Sequence, residues 1–156
     1  MVIEKKHRLN RDRYIGHIRV SFTLCIKGRS KIFIESNIVD IFNNILKYEL
    51  EKQRVSNWIY LYMPDHLHLI LEGKEESSDL WRSVVSFKQK TGYWLSKNKT
   101  AIRWQKDFYD YIHRKDDDLK KHIRYVLENP IRKKIVVNWD EYKFKGSLDY
   151  KLSDII

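Results

Sequence analysis

Apolar residues recur at two periods along this chain. Ile38, Ile41, Phe42, Ile45, Leu46 and Leu50 return every three or four positions. That spacing predicts a helix from Ser36 or Asn37, either a suitable cap, to about Gln53. Residues 56–63 alternate instead, with Ile59, Leu61 and Met63 to one side and Trp58, Tyr60 and Tyr62 to the other. Pro64-Asp65 interrupts, and residues 66–72 alternate again. Leu67, Leu69 and Leu71 take one face there; His66, His68, Ile70 and Glu72 take the opposite one. The two runs read as neighbouring strands joined by a tight turn.

Upstream, Ile15–Ile26 is rich in β-branched and aromatic residues and reads as another strand, ended by the turn Lys27-Gly28-Arg29-Ser30. Downstream, Ser77-Ser78-Asp79 opens a second helix to about Lys97, with Trp81, Val84, Val85, Lys88, Tyr93 and Leu95 along it. Ile102–Phe108 reads as a short strand or extended segment. A third helix starts at the acidic Asp116–Asp118 and runs to Asn129, where Pro130 closes it. The order predicts an α+β fold: a ferredoxin-like antiparallel sheet with helices packed on one face and the last helix near the C-terminus. One domain over residues 1–137 with a short basic N-terminal arm is expected, followed by a loosely attached tail over 138–156.

Composition narrows the function classes. The chain has 156 residues, enough for one domain, and 42% are apolar, enough for a core. No run approaches the roughly 18 apolar residues of a membrane span, and the charged segment Met1–Arg13 has no apolar run of a secretory signal. Cytoplasmic, nucleoid-associated placement is the expectation. A single cysteine, Cys25, excludes an internal disulfide framework and a cysteine-rich zinc site. Lys and Arg outnumber Asp and Glu by 31 to 21, and this +10 charge favours nucleic acid as partner. Basic tracks lie at Lys5-Lys6-His7-Arg8 with Arg11 and Arg13, at Arg82, Lys88 and Lys90, and at Arg132-Lys133-Lys134.

The candidate chemistry sits on two elements. On a strand, His66 and His68 project from the same face, and imidazole is a common ligand for divalent metals. Taken alone, two histidines on a half-buried sheet face are equally a plain structural feature. On the third helix, about 100° per residue gathers Leu119, Ile123, Val126 and Leu127 into one arc and Asp118, His122, Tyr125 and Asn129 into another. Tyr125 and Asn129 share a face at i and i+4. Amphipathic packing accounts for the first, and a helix cap for the second. Together the imidazoles, the amide and the tyrosine compose one site. Two nitrogens and an amide oxygen, without thiolate, suit Mg²⁺ or Mn²⁺, and the tyrosine hydroxyl is a nucleophile for phosphorus.

Three segments carry a family resemblance. Met63-Pro64-Asp65-His66-Leu67-His68-Leu69-Ile70 resembles the HUH motif of single-tyrosine transposases. Trp104-Gln105-Lys106-Asp107-Phe108-Tyr109-Asp110 resembles the Trp-Gln segment that precedes their catalytic helix. Tyr125-Val126-Leu127-Glu128-Asn129-Pro130 resembles the Tyr-Ile-x-x-Asn-Pro block of the REP-associated branch. The resemblance implies Tyr125 as nucleophile, His66, His68 and Asn129 as metal ligands, and Lys88 and Arg114 as phosphate contacts; the basic track on the second helix adds Arg82 and Lys90 as DNA-binding candidates. It implies cutting and rejoining of single-stranded DNA beside hairpins through a 5′-phosphotyrosine. Relatives include homodimers with shared sites as well as monomers. Many relatives carry His where Tyr111 stands here, so that role is open or falls to His113. A rival reading is a non-catalytic module of ferredoxin-like fold that binds single-stranded DNA, RNA or hairpins, with Trp58, Tyr60 and Tyr62 as stacking residues.

Overall fold

The computed structural model describes residues 10–156. The sheet is antiparallel, with five strands in the order β4-β1-β3-β2-β5. β1 spans Arg19–Cys25, β2 Val55–Met63 and β3 His66–Gly73. β4 spans Tyr109–Ile112 and β5 Lys145–Gly146. β2 and β3 pair from Met63↔His66 outward around the expected Pro64-Asp65 turn. Helices α1 (Ser36–Lys52) and α2 (Leu80–Asn98) follow the periodicity closely. Asp79 caps α2 by accepting from the Arg82 amide. α1 begins without a side-chain cap; burial of Ile38, Val39, Phe42, Leu46 and Leu50 holds it instead.

α1 and α2 cover one face of the sheet. Phe22, Leu24, Tyr62, Leu67, Leu69 and Leu71 meet Phe42, Leu46, Val84 and Phe87 there in one large core. The α+β antiparallel class is as expected, but the helices divide between the faces. The short helix α3 (Leu119–Leu127), capped by Asp118, seats Ile123 and Leu127 on Ile59 and Ile70 of the opposite face. The reason is in the alternation: Ile59 and Ile70 point away from the main core and need their own cover.

Three expectations are corrected. Pro130 does not close the third helix. α3 ends at Leu127, and Pro130 lies in the first turn of a further helical turn, α4 (Asn129–Arg132), where its missing N–H costs nothing. Residues 102–108 do not form a strand. Trp104 bridges Ile26 and Tyr109 pairs with Thr23, so five steps of this segment face three steps of β1. The surplus loops outward, and the strand proper begins at Tyr109.

The segment 138–156 is not loosely attached. It supplies β5 beside Tyr60 and Leu61. The buried Tyr142 donates its hydroxyl hydrogen to the Tyr62 carbonyl at 2.6 Å, and burial pushes this phenol up to about 12. Asp149 accepts from the Asn57 amide at 2.6 Å, Tyr150 stacks on Trp58, and Leu152, Ile155 and Ile156 join the cluster beneath α3. Tyr142→Ala is expected to cost about 3 kcal/mol, read as a lower urea midpoint with an unchanged slope. An unchanged midpoint would show that the segment adds nothing to the fold.

Candidate active site

Period-two alternation aims His66 and His68 at the face that α3 and α4 cover. Their Nε2 atoms lie 3.0 Å apart. Asn129, at the start of α4, brings its carboxamide to 2.6 Å from His68 Nε2. The distal ring nitrogens are held as well: His66 Nδ1 by Asp65 at 2.6 Å, and His68 Nδ1 by the Thr23 hydroxyl at 3.1 Å. With each Nδ1–H donating to its oxygen, both Nε2 atoms present lone pairs to one another. A cation resolves that opposition. Adjacent ligands about 2.1 Å from an octahedral ion stand roughly 3.0 Å apart, and a flip of the Asn129 amide presents its oxygen in place of its nitrogen. The donor set therefore fits a divalent metal.

Electrostatics acts on the same side chains. Burial pushes His68 down to about 3, assisted by the charges around it, including His66, Arg132 and Arg29. Burial also lowers His66, against the opposing pull of Asp65. Asp65 itself is raised by burial but lowered more by hydrogen bonds from His66 and Arg29. The imidazoles are thus neutral at pH 7, the form that binds metal. Arg29 donates to Asp65 at 2.9 Å and to Cys25 Sγ at 3.4 Å. It follows Gly28, and both have positive φ, +59° at Arg29 and +72° at Gly28, which turns the guanidinium back over the β2–β3 turn.

Tyr125 stands on the last full turn of α3, one helical turn before Asn129. Its side chain is exposed (62%). Arg132 lies over its ring at 4.1 Å and donates to its carbonyl at 2.6 Å. His122, expected on the Tyr125 stripe, turns instead to Tyr111 and His113, with ring centroids 5.7 and 4.2 Å away.

His113, Asp117 and His122 gather within 4.8 Å of one another, and hydrogen bonds engage the first two. His113 accepts from Arg19 Nε at 3.1 Å and lies 2.7 Å from the Ser21 hydroxyl. Asp117 accepts from the Tyr111 hydroxyl and the Arg114 amide, each at 2.8 Å. This cluster is a hydrogen-bonded seat for the start of α3. Tyr111 and His113 both belong to that seat.

The candidate DNA contacts separate. Lys88 does not present a free ammonium: it donates to the carbonyls of Gln105 and Lys106 at 2.8 and 3.0 Å. Lys90 pairs with the buried Glu49 at 2.6 Å. Both therefore have partners within the fold, because α2 packs against α1 and the 102–108 segment. Arg82 is exposed on α2, the layer that covers the other face of the sheet from the histidines. Arg114 is exposed in the turn between β4 and α3. Lys5-Lys6-His7-Arg8 lies outside the described residues.

Residues 15–129 match the family described as "Transposase IS200 like". The chain belongs to the IS200-like transposase family. Among its relatives is the REP-associated tyrosine transposase of Escherichia coli, 26% identical over 115 residues, 71% of this chain and 65% of that one. A Haemophilus influenzae protein given the same name provisionally is 23% identical over 137 residues, 79% of this chain and 77% of its own. The fold is similar to that of a REP-associated tyrosine transposase solved bound to a REP hairpin, with a TM-score of 0.75 and 18% identity over 90% of this chain and 81% of that one. These relatives carry the name of the REP-associated branch, whose motif the Tyr125–Pro130 block resembles.

Around the three ligand candidates of this IS200-like transposase, sequence reasoning left Asp65, Thr23, Arg29 and Arg132 without specific roles. Asp65 was legible, since it adjoins His66 in the motif. Thr23, Arg29 and Arg132 act only through tertiary contact, so no spacing reveals them.

Because His66, His68 and Asp65 all have lowered values, the unfolded chain binds more protons than the folded one below about pH 6.5. Stability therefore falls as pH falls, with the His68 part spread between about 6.5 and about 3. His68→Gln is expected to lose less stability than the wild type between pH 7 and pH 5, measured by urea unfolding. Parallel losses would contradict the burial of a neutral His68.

Proposed function

We propose that this chain is a metal-dependent single-strand DNA endonuclease and strand transferase acting on hairpin-containing DNA through a 5′-phosphotyrosine. The carrying observation is the meeting of His66, His68 and Asn129 one helical turn from the exposed Tyr125. His66, His68 and Asn129 would hold the divalent cation, Mg²⁺ or Mn²⁺, and the bound ion supplies Lewis acidity at the scissile phosphate. Asp65 and Thr23 keep the two imidazoles in the ligating tautomer. The Tyr125 hydroxyl attacks phosphorus; the Oη–P bond forms and the P–O3′ bond breaks, the hydroxyl proton passes to solvent and the departing 3′-oxygen takes a proton from solvent. The product is a free 3′-hydroxyl and a 5′ end on Tyr125. Attack by a second 3′-hydroxyl reverses the exchange and joins the strands.

Arg132 sits where it can stabilise negative charge on the departing or entering phenolate oxygen's ring. Hairpin DNA as substrate is supported by the relative solved on a REP hairpin and by the +10 charge of the chain. Exposed Arg114, in the turn that leads from β4 into α3, is a further phosphate candidate.

Labelled hairpin oligonucleotides on a denaturing gel test the proposal. Wild type with Mn²⁺ is expected to give a protein–DNA adduct that EDTA prevents. Tyr125→Phe is expected to lose the adduct, by 10³-fold or more as an order-of-magnitude expectation for a removed nucleophile, while binding the hairpin within about two-fold of wild type. Cleavage retained by Tyr125→Phe would overturn the nucleophile. Hairpin binding with no wild-type adduct would favour the non-catalytic module.

A further inference from the structure

Tyr109 has no part in the chemistry above, yet the fold aims it at the face that carries the metal ligands. It opens β4, an edge strand, between two residues anchored on the other face. Phe108 packs on Phe22 in the main core, with ring centroids 5.7 Å apart. The buried Asp110 accepts the Tyr14 hydroxyl hydrogen at 2.6 Å. Alternation therefore turns Tyr109 to the histidine side. It pairs with Thr23, and Thr23 pairs with His68, so the three form one row across the sheet. Two interstrand spacings, about 10 Å in all, separate its backbone from that of His68. Two residues further on, Tyr111 is occupied: it donates to Asp117 at 2.8 Å and stacks on His122. Tyr109 is half-buried but belongs to none of the apolar clusters. Among the described residues its hydroxyl has no hydrogen-bond partner, and its ring meets no other ring or cation.

We propose that the Tyr109 hydroxyl holds a backbone phosphate of the substrate strand, the one adjoining the phosphate to be cut, by donating to a non-bridging oxygen. A phenol is protonated at neutral pH and donates one hydrogen bond, and a charged phosphate oxygen makes that bond stronger than a neutral acceptor would. Spacing selects the neighbouring phosphate. The scissile group sits over the ion at His66 and His68, and the two-strand offset to Tyr109 is wider than a single phosphate. Arg29, paired with Asp65 beside His66, stands within electrostatic range of Tyr109 and adds positive charge on that side. Such a contact sets where the strand lies along the site without reading its sequence.

The inference rests on the single-stranded DNA reading, and its test separates the two. The wild-type adduct on a denaturing gel locates the cut linkage. Hairpins with an unpaired flank then carry one neutral methylphosphonate at each flank linkage in turn, and fluorescence anisotropy in Mn²⁺ reads their affinities. Tyr125→Phe, which leaves the strand uncut, is compared with the Tyr109→Phe, Tyr125→Phe double variant, and thermal unfolding verifies both folds. Tyr125→Phe is expected to lose roughly ten-fold in affinity at one linkage adjoining the cut, the scale of one hydrogen bond to a charged group. The double variant should bind the unmodified flanked hairpin roughly ten-fold more weakly, bind the bare hairpin equally, and lose its sensitivity at that linkage. The cut linkage itself should stay sensitive in both proteins, because the ion holds it. Identical linkage profiles in the two proteins, or equal weakening of flanked and bare hairpins, overturns the Tyr109 contact and leaves the nuclease reading intact. Should the double variant misfold, Tyr109→Leu in the same background takes its place with the same expected profile. Wild type that forms no adduct overturns both readings.

Discussion

Everything functional in this molecule depends on how α3 is seated. Two side chains, Ile123 and Leu127, press onto Ile59 and Ile70, and burying each contributes about 2 kcal/mol. That contact fixes the helix against the histidine face of the sheet. It delivers Asn129 to His68 and leaves Tyr125 outward. The apolar seat is small, so its surroundings matter. At the start of the helix, Tyr111, His113, Asp117 and His122 form a stacked and hydrogen-bonded support. At its end, Leu152, Ile155 and Ile156 fill the space below. A polar network and a chain terminus thus share the work of holding one short helix.

The elements with strong periodicity were legible from the sequence: α1, α2, and the β2–β3 hairpin with its tight turn. The placement of His66 and His68 on one face followed from alternation alone. The helix carrying Tyr125 was also visible, but not which side of the sheet it covers. Its arc of Leu119, Ile123, Val126 and Leu127 says that it must pack, and only Ile59 and Ile70 say where. The segment 102–108 was misjudged because a strand and a loop pinned at both ends have similar composition. What makes it a loop is the count of residues between two pairings with β1. The segment 138–156 was misjudged for a related reason. β5 has only Lys145 and Gly146, too short for any pattern, and its attachment comes from Tyr142, Asp149 and Tyr150 bonding to distant residues.

Charged residues were the least legible. Composition correctly marks the chain as basic, but it does not say which cations have partners within the fold. Lys88 and Lys90 look equivalent to Arg82 on α2, yet one bonds to two carbonyls and the other to Glu49. Arg29 lies in a turn that reads only as a break in the chain. The fold turns it into the support of Asp65, and through it of His66.

The β2–β3 hairpin has a further consequence for how such a site can change. Its loop is as short as a hairpin allows, and successive side chains of β3 take opposite faces. A leucine between the histidines can be exchanged for another apolar residue with modest cost. An insertion of one residue at His66 is different in kind: it would roll the imidazoles into the layer of Leu67 and Leu69 and bring leucines out beneath α3. What this strand must pass on intact is parity, the odd-or-even position of each residue, more than the identity of the residue between the two histidines.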